Sequence, residues 1–223
     1  MNLIVTGASR GIGLELVAQA LQNKHQVLAV VRSLKKSPEL EALMKKHGDL
    51  LQTCEVDVTD PEAPAKLIAA AGQWPQVDLL INNAGVFNQG ETQNDLMASF
   101  QVNTIAPFLL TKELLPLLKK SKAAKVVHLT SKMGSIDDNT SGGYYAYRSS
   151  KAALNMINKS FSIDNPWLAT VVIHPGWVKT DMGGSGAPTE ISESASGIWQ
   201  VISKLQTKDS GRFFDFKGQN LPW

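Results

Sequence analysis

Six short runs dominated by Val, Ile and Leu punctuate the chain: "NLIVT" from Asn2, "QVLAVV" from Gln26, "LLQTCEV" from Leu50, "VDLLIN" from Val77, "KVVHLT" from Lys125 and "ATVVIH" from Ala169. Each has the length of a strand. Their nearly unbroken apolar character fits parallel strands covered on both faces better than strands with one face in water. Between them the pattern becomes helical, over Ile12 to Asn23, Glu39 to Lys46, Glu62 to Ala71, Leu96 to Lys120 and Lys151 to Phe161. Strand and helix in alternation predict an α/β fold, a doubly wound parallel sheet with helices on both faces. Pro107 and Pro116 are expected to divide or kink the long helical region, because neither can donate the interior hydrogen bond. The stretch "GGSGAPTEISESASG" from Gly183 reads as a loop leading into a last helix around Ile198 to Leu205.

Composition narrows the class. A chain of 223 residues that is 43% apolar and 19% charged buries one sizeable core, so a single domain spanning 1–223 is expected. The net charge is only +2, with the basic residues scattered, which leaves no electrostatic footprint for nucleic acid or anionic lipid and favours a small-molecule partner. The lone Cys54 reads as a reduced thiol in a strand. The opening "MNLIVTGAS" has no basic leader, and no apolar run approaches the ~18 residues that span a bilayer. A cytoplasmic protein is expected.

The first strand runs directly into "TGASRGIG", Thr6 to Gly13, and then a helix. Glycines at 7, 11 and 13 permit a tight turn and a close backbone approach, while the helix N-terminus aims free N–H groups at an anion. A dinucleotide pyrophosphate fits that context; a tight structural turn would use similar glycines. Arg10 lies at the positive end of the helix dipole, a placement that a bound phosphate would compensate. After the second strand, where an NAD site is expected to carry Asp or Glu for the ribose hydroxyls, the chain has Val31 and Arg32, which favours NADP(H). Both arginines as solvated surface charges is the alternative. Asp57, after the third strand, suits either an adenine contact or a turn.

These segments, with "DVT" at 57, "NNAG" at 82, Asn103 in "FQVNTIAP", Ser131 in "VVHLTSKMGS", "YRSSK" at 147 and "HPGWVKT" at 174, resemble the short-chain dehydrogenase/reductase family, in its order and over nearly the whole chain. Within it, "DNTSGGYYAYRSSKAALNM" and the final "LPW" are similar to the subgroup of Sniffer-type carbonyl reductases and the bacterial C-factor. The resemblance implies a single-domain Rossmann fold and a catalytic set of Asn103, Ser131, Tyr147 and Lys151. It puts Gly7, Arg10, Ile12 and Gly13 at the pyrophosphate, Asp57 and Val58 at the adenine, and Asn82, Ala84 and Gly85 along the adenosine ribose. Pro175, Gly176, Val178 and Thr180 would surround the nicotinamide amide, and a homo-oligomer, dimer or tetramer, is implied.

All three tyrosines fall at 144, 145 and 147, and two of them have a cation four residues on: Tyr144 with Arg148 and Tyr147 with Lys151. Either pair would share a helix face. Lysine is the better partner, a compact charge able to reach ribose hydroxyls and relay a proton, whereas arginine is a permanently charged planar fork. The family's Tyr-x-x-x-Lys register agrees. Tyr147 is thus expected to give a proton to a carbonyl oxygen during hydride transfer, with Lys151 holding the nicotinamide ribose and lowering the phenol's pKa, Ser131 donating to the oxygen and Asn103 positioning a water. Tyr144 and Tyr145 are expected to pack or to wall the substrate pocket. His128 and His174 lack paired ligands at metal spacing and read as packed histidines, so no metal is expected. An NADPH-dependent carbonyl reductase is the leading function; a C-factor-like signalling or cofactor-sensing protein is the rival.

Overall fold

The computed structural model describes residues 1–223. Seven strands, β1 (Asn2–Thr6), β2 (Gln26–Val31), β3 (Leu51–Glu55), β4 (Leu79–Asn82), β5 (Lys125–Leu129), β6 (Ala169–His174) and β7 (Phe213–Asp215), form one sheet in the order β3-β2-β1-β4-β5-β6-β7. Every pairing is parallel. The chain winds outward from β1 to β3, then returns to the other side of β1 with β4, so the order reverses between β1 and β4. In open α/β sheets such a reversal opens a crevice at the carboxyl ends of the strands.

Alternation along each strand divides the interior into two layers. Leu3 and Val5 of β1 face a core completed by Leu16 and Val17 of α1 (Gly11–Gln22), Leu40 of α2 (Pro38–His47) and Ile198 of the late helix Ile191–Lys204. Ile4 faces the opposite core with Leu67 of α3 (Ala63–Ala70), Leu110 and Leu114 of the helix Ala106–Leu118 and Phe161 of the helix Tyr145–Asp164. Both faces are covered, as the apolar runs predict. The result is a single-domain Rossmann-type α/β fold. No helix is long and apolar enough to cross a membrane.

The long helical region differs in detail from its expectation. It begins with α4 (Gln93–Phe100), which has a capping box between Thr92 and Asp95, widens to a π-helical turn at Gln101–Ile105, and continues as α5 (Ala106–Leu118). Pro107 is the second residue of α5; it has no amide to donate to the carbonyl of Asn103, which accounts for the break in the regular ladder. Pro116 does not divide the region, since it sits inside α5 near its end. The following helices are α6 (Tyr145–Asp164) and α7 (Ile191–Lys204), the latter starting seven residues before its expected Ile198. β7 was not expected either: it is only three residues long, yet Phe213 pairs with Val172 and is among the fully buried side chains.

Candidate active site

A cleft of about 750 Å³ opens where the strand order reverses. Its floor is the turn after β1, with Gly7, Arg10, Gly11, Ile12 and Gly13 all lining it. Gly7 and Gly11 have φ of 66° and 56°, and a Cβ at Gly13 would collide with the Gly7 carbonyl oxygen and the Asn83 amide. Only glycine allows α1 to approach that closely, so its first-turn N–H groups open into the cleft. No protein side chain caps that N-terminus. A glycine-lined turn at an uncapped helix start suits a pyrophosphate, and the residues present fit a dinucleotide.

The turn is tied to the end of β4. Thr6 Oγ1 accepts the Asn83 and Ala84 amides, each at 3.1 Å, and Asn83 Nδ2 donates to the Thr6 and Gly7 carbonyls at 2.8 and 3.0 Å. Asn83, Ala84 and Gly85 line the cleft, but Asn82 does not. The expectation for Asn82 is corrected: as the last residue of β4 its side chain is buried on the far side, donating to Thr111 Oγ1 at 3.1 Å and facing His128 Nδ1 at 3.2 Å. Complete burial pushes the His128 pKa down to about 3, so it is a neutral packed histidine. His174, at the end of β6, is likewise pushed down to about 4 by burial.

Arg32, Ser33, Lys36 and Ser37 form the wall beyond β2, and Val56, Asp57 and Val58 the wall beyond β3. Asp57 forms the expected turn, its carboxylate accepting the Thr59 amide and hydroxyl at 2.9 and 2.7 Å, and it also lines the cleft. Lys36 had no distinguishing sequence signal. Its place beside Arg32 follows from a short 3₁₀ turn at Leu34–Lys36. On the opposite wall Pro175, Lys179, Thr180, Asp181 and Met182 line the cleft. The Gly176 and Val178 side-chain positions do not line it. Gly176 (φ 90°) packs against Phe216, and Val178 is buried in a bridge with Thr189. The Thr189 amide donates to the Trp177 carbonyl and the Lys179 amide to the Thr189 carbonyl, so the Val178 amide takes no part in that bridge.

At the inner end of the cleft lie Tyr147 and Lys151, one turn apart on α6 and 7% and 4% exposed. Lys151 Nζ donates to the Leu129 carbonyl at 2.8 Å and stands 5.9 Å from the centre of the Tyr147 ring. Burial pushes the lysine down to about 8. It also pushes the Tyr147 phenol up, a shift that the nearby Ser131 hydroxyl opposes. In this state burial, not the ammonium, sets the direction of the phenol's shift, contrary to the expectation that Lys151 lowers it.

Ser131 borders Tyr147 just outside the cleft lining, its Oγ accepting the Met133 amide at 3.1 Å. The following 3₁₀ turn, Lys132–Gly134, presses onto α6; a Cβ at Gly134 would come within 2.8 Å of Lys151 backbone and Cβ. Asn103, 1% exposed, lies behind Gly85. Its Oδ1 accepts the Val86 amide at 2.9 Å, and its Nδ2 donates to the Val86 carbonyl at 2.9 Å and to Ser150 Oγ at 3.0 Å. Ser131, Tyr147 and Lys151 thus neighbour one another, and Asn103 approaches Lys151 from behind Gly85.

The tyrosine pairs resolve clearly. Tyr145 is 61% exposed on the face of α6 away from Tyr147. Tyr144 precedes the helix, and the Arg148 guanidinium turns instead to the Gly142 carbonyl, the Met133 carbonyl and Ser141 Oγ at 3.2, 3.3 and 2.9 Å. Only Tyr147 keeps a buried cation beside it.

A doubly wound sheet, a glycine turn at its switch point, and a buried tyrosine and lysine at the cleft's end define a nucleotide-dependent oxidoreductase of the Rossmann class. Residues 1–190 match the family described as short chain dehydrogenase, and the chain belongs to that family. C-signal of Myxococcus xanthus is 46% identical over 154 residues, spanning 66% of this chain and 93% of that protein. The carbonyl reductase Sniffer of D. melanogaster is 38% identical with a TM-score of 0.94, over 100% of this chain and 99% of that one. A carbonyl reductase from Pseudomonas aeruginosa PAO1, solved in complex with NADP, is 32% identical with a TM-score of 0.88 over the same shares.

Proposed function

We propose that this chain is an NADPH-dependent carbonyl reductase with Tyr147 as its proton donor. The observation that carries the reading is the buried Tyr147–Lys151 pair at the inner end of the dinucleotide cleft. NADP(H) is the cofactor: Gly7, Arg10, Ile12 and Gly13 hold its pyrophosphate, and Arg32 with Lys36 meets the 2′-phosphate. Asp57 and Val58 flank the adenine, Ala84 and Gly85 the adenosine ribose, and Pro175, Thr180 and the Val178 backbone the nicotinamide amide. The NADP bound to the Pseudomonas carbonyl reductase supports this. When bound, the reduced cofactor supplies the hydride for the carbonyl carbon.

The chain's own groups handle the oxygen. Ser131 Oγ donates a hydrogen bond to it as negative charge develops, and Tyr147 transfers its phenolic proton to it. Burial pushes the phenol up and so favours its protonated form, the form that can donate. Lys151 binds the nicotinamide ribose and resupplies charge beside the phenolate once the proton has left. Asn103, fixed to Val86 and Ser150, orients a water between Lys151 and solvent. Exposed Met97, Ile105 and Leu109, with Met156 and Ile163 on the neighbouring α6, offer an apolar surface for a homo-oligomer.

A second reading, a signalling or cofactor-sensing protein, is favoured by the 46% identity to C-signal. NADPH oxidation by purified protein with a panel of small aldehydes and diketones separates the two. Turnover that follows carbonyl concentration supports the reductase; saturable NADPH binding without turnover supports the sensor.

A further inference from the structure

Tyr144 adopts a left-handed backbone conformation, φ 52° and ψ 39°, as the third residue of a left-handed run with Gly142 and Gly143. Glycine enters that region freely, but a residue with a Cβ is strained there. A third glycine would make the same turn without strain, so the observation calls for a role for the ring. The ring stacks on Phe87, with centroids 5.5 Å apart and planes at 27°. Phe87 in turn meets Tyr147 in a T-shaped contact, 4.8 Å and 86°. Three rings thereby form one continuous wall that ends at the catalytic phenol.

Of the three, only Tyr147 lines the dinucleotide cleft. Phe87 and Tyr144 extend from it on another side, half-buried and 42% exposed respectively, so aromatic surface remains open to a second molecule. The wall is also held in place. Arg148 bonds the Gly142 carbonyl and Ser141 Oγ from the turn before Tyr144, and the Met133 carbonyl from the segment that carries Ser131. One guanidinium thus fixes the wall relative to the group that would meet the carbonyl oxygen.

We infer that Phe87 and Tyr144 determine the substrate class: planar, conjugated carbonyl compounds such as aryl aldehydes and aryl ketones, whose ring lies against the wall while the oxygen meets Tyr147 and Ser131. This rests on the carbonyl reductase reading. Flat rings gain offset-stacked and edge contacts with such a wall beyond the area they bury, and saturated rings of the same size do not.

Benzaldehyde and cyclohexanecarbaldehyde test this, since they have the same carbon skeleton and differ in planarity. The readout is the ratio of their kcat/KM values with NADPH, measured in wild type, Phe87→Leu, Tyr144→Leu, Tyr144→Phe and Tyr144→Gly. Phe87→Leu and Tyr144→Leu are expected to lower the ratio roughly 3- to 10-fold, the size of one aromatic contact, chiefly through KM for benzaldehyde. Tyr144→Phe keeps the ring and keeps the ratio. Tyr144→Gly relieves the backbone strain and still loses the ratio, which separates recognition by the ring from the shape of the turn. An unchanged ratio in both leucine variants, with both aldehydes still reduced, overturns the wall alone. Wild type that binds NADPH yet reduces neither these aldehydes nor any of the wider panel overturns the reductase reading beneath it.

Discussion

Arg10 Nη1 and Asp181 Oδ2 lie 2.7 Å apart, joining the glycine turn after β1 to the segment after β6. Both residues line the dinucleotide cleft, and both side chains are 72% exposed. An ion pair that open to water contributes about 0–1 kcal/mol, so a phosphate group competes for Arg10 with little to overcome. Asp181 is the negative residue in a wall that otherwise offers Lys179, across from Arg32 and Lys36.

Asp181→Asn is therefore expected to tighten NADPH binding several-fold by removing a carboxylate that repels the phosphates and occupies Arg10. Thermal stability should barely change, and the gain should shrink as salt is added. Titration of both proteins at low and high ionic strength checks this. Weaker binding in the variant would mean that the ion pair belongs to the bound geometry.

Cofactor choice should follow Arg32. A charge-assisted bond to the 2′-phosphate is worth about 1.5 to 3 kcal/mol, roughly 10- to 150-fold in affinity. Arg32→Asp adds repulsion to that loss, while giving the ribose hydroxyls an acceptor that NADH uses. Calorimetry should find a large rise in the NADPH dissociation constant and a small change or an improvement for NADH. Equal weakening of the two would show that Arg32 supports the loop instead.

Lys151 makes stability depend on pH in a defined direction. Burial holds it at about 8, against 10.5 for an unperturbed lysine. Between those values the unfolded chain keeps a proton that the folded chain has released, so the lysine's contribution is unfavourable below about 8 and improves as pH rises toward 10.5. Lys151→Met removes the titration. Urea unfolding across this range should give a stability difference, variant minus wild type, that falls with increasing pH. A difference independent of pH would contradict the assignment of a charged, desolvated lysine.

The sheet was readable because both of its faces are covered, which writes β1, β2 and β6 as unbroken apolar runs; β7 was too short to leave such a trace. The limit at the site is illustrated by Asn82 and Asn83. Successive residues at a strand end point to opposite faces, so the choice between two adjacent asparagines depends on register, which spacing does not provide. The same limit applies to "HPGWVKT", where the bridge to Thr189 turns the Val178 side chain inward. Phe87 lies in a loop without periodicity, and the Arg10–Asp181 pair joins segments that only the sheet order brings together. Tyr147 could be singled out because Tyr-x-x-x-Lys is a local helical pattern. What the pattern did not carry was the dominance of burial over charge in setting the phenol's pKa.

Proton donation by Tyr147 is the central claim, and single-turnover reduction of a carbonyl substrate by Tyr147→Phe, beside Tyr144→Phe, tests it most directly. Loss of the donor should slow the chemical step roughly 10²- to 10⁴-fold while NADPH still binds, and Tyr144→Phe should keep most of the rate. A Tyr147→Phe enzyme that reacts at the wild-type rate, or a large loss that falls on Tyr144→Phe instead, would contradict it.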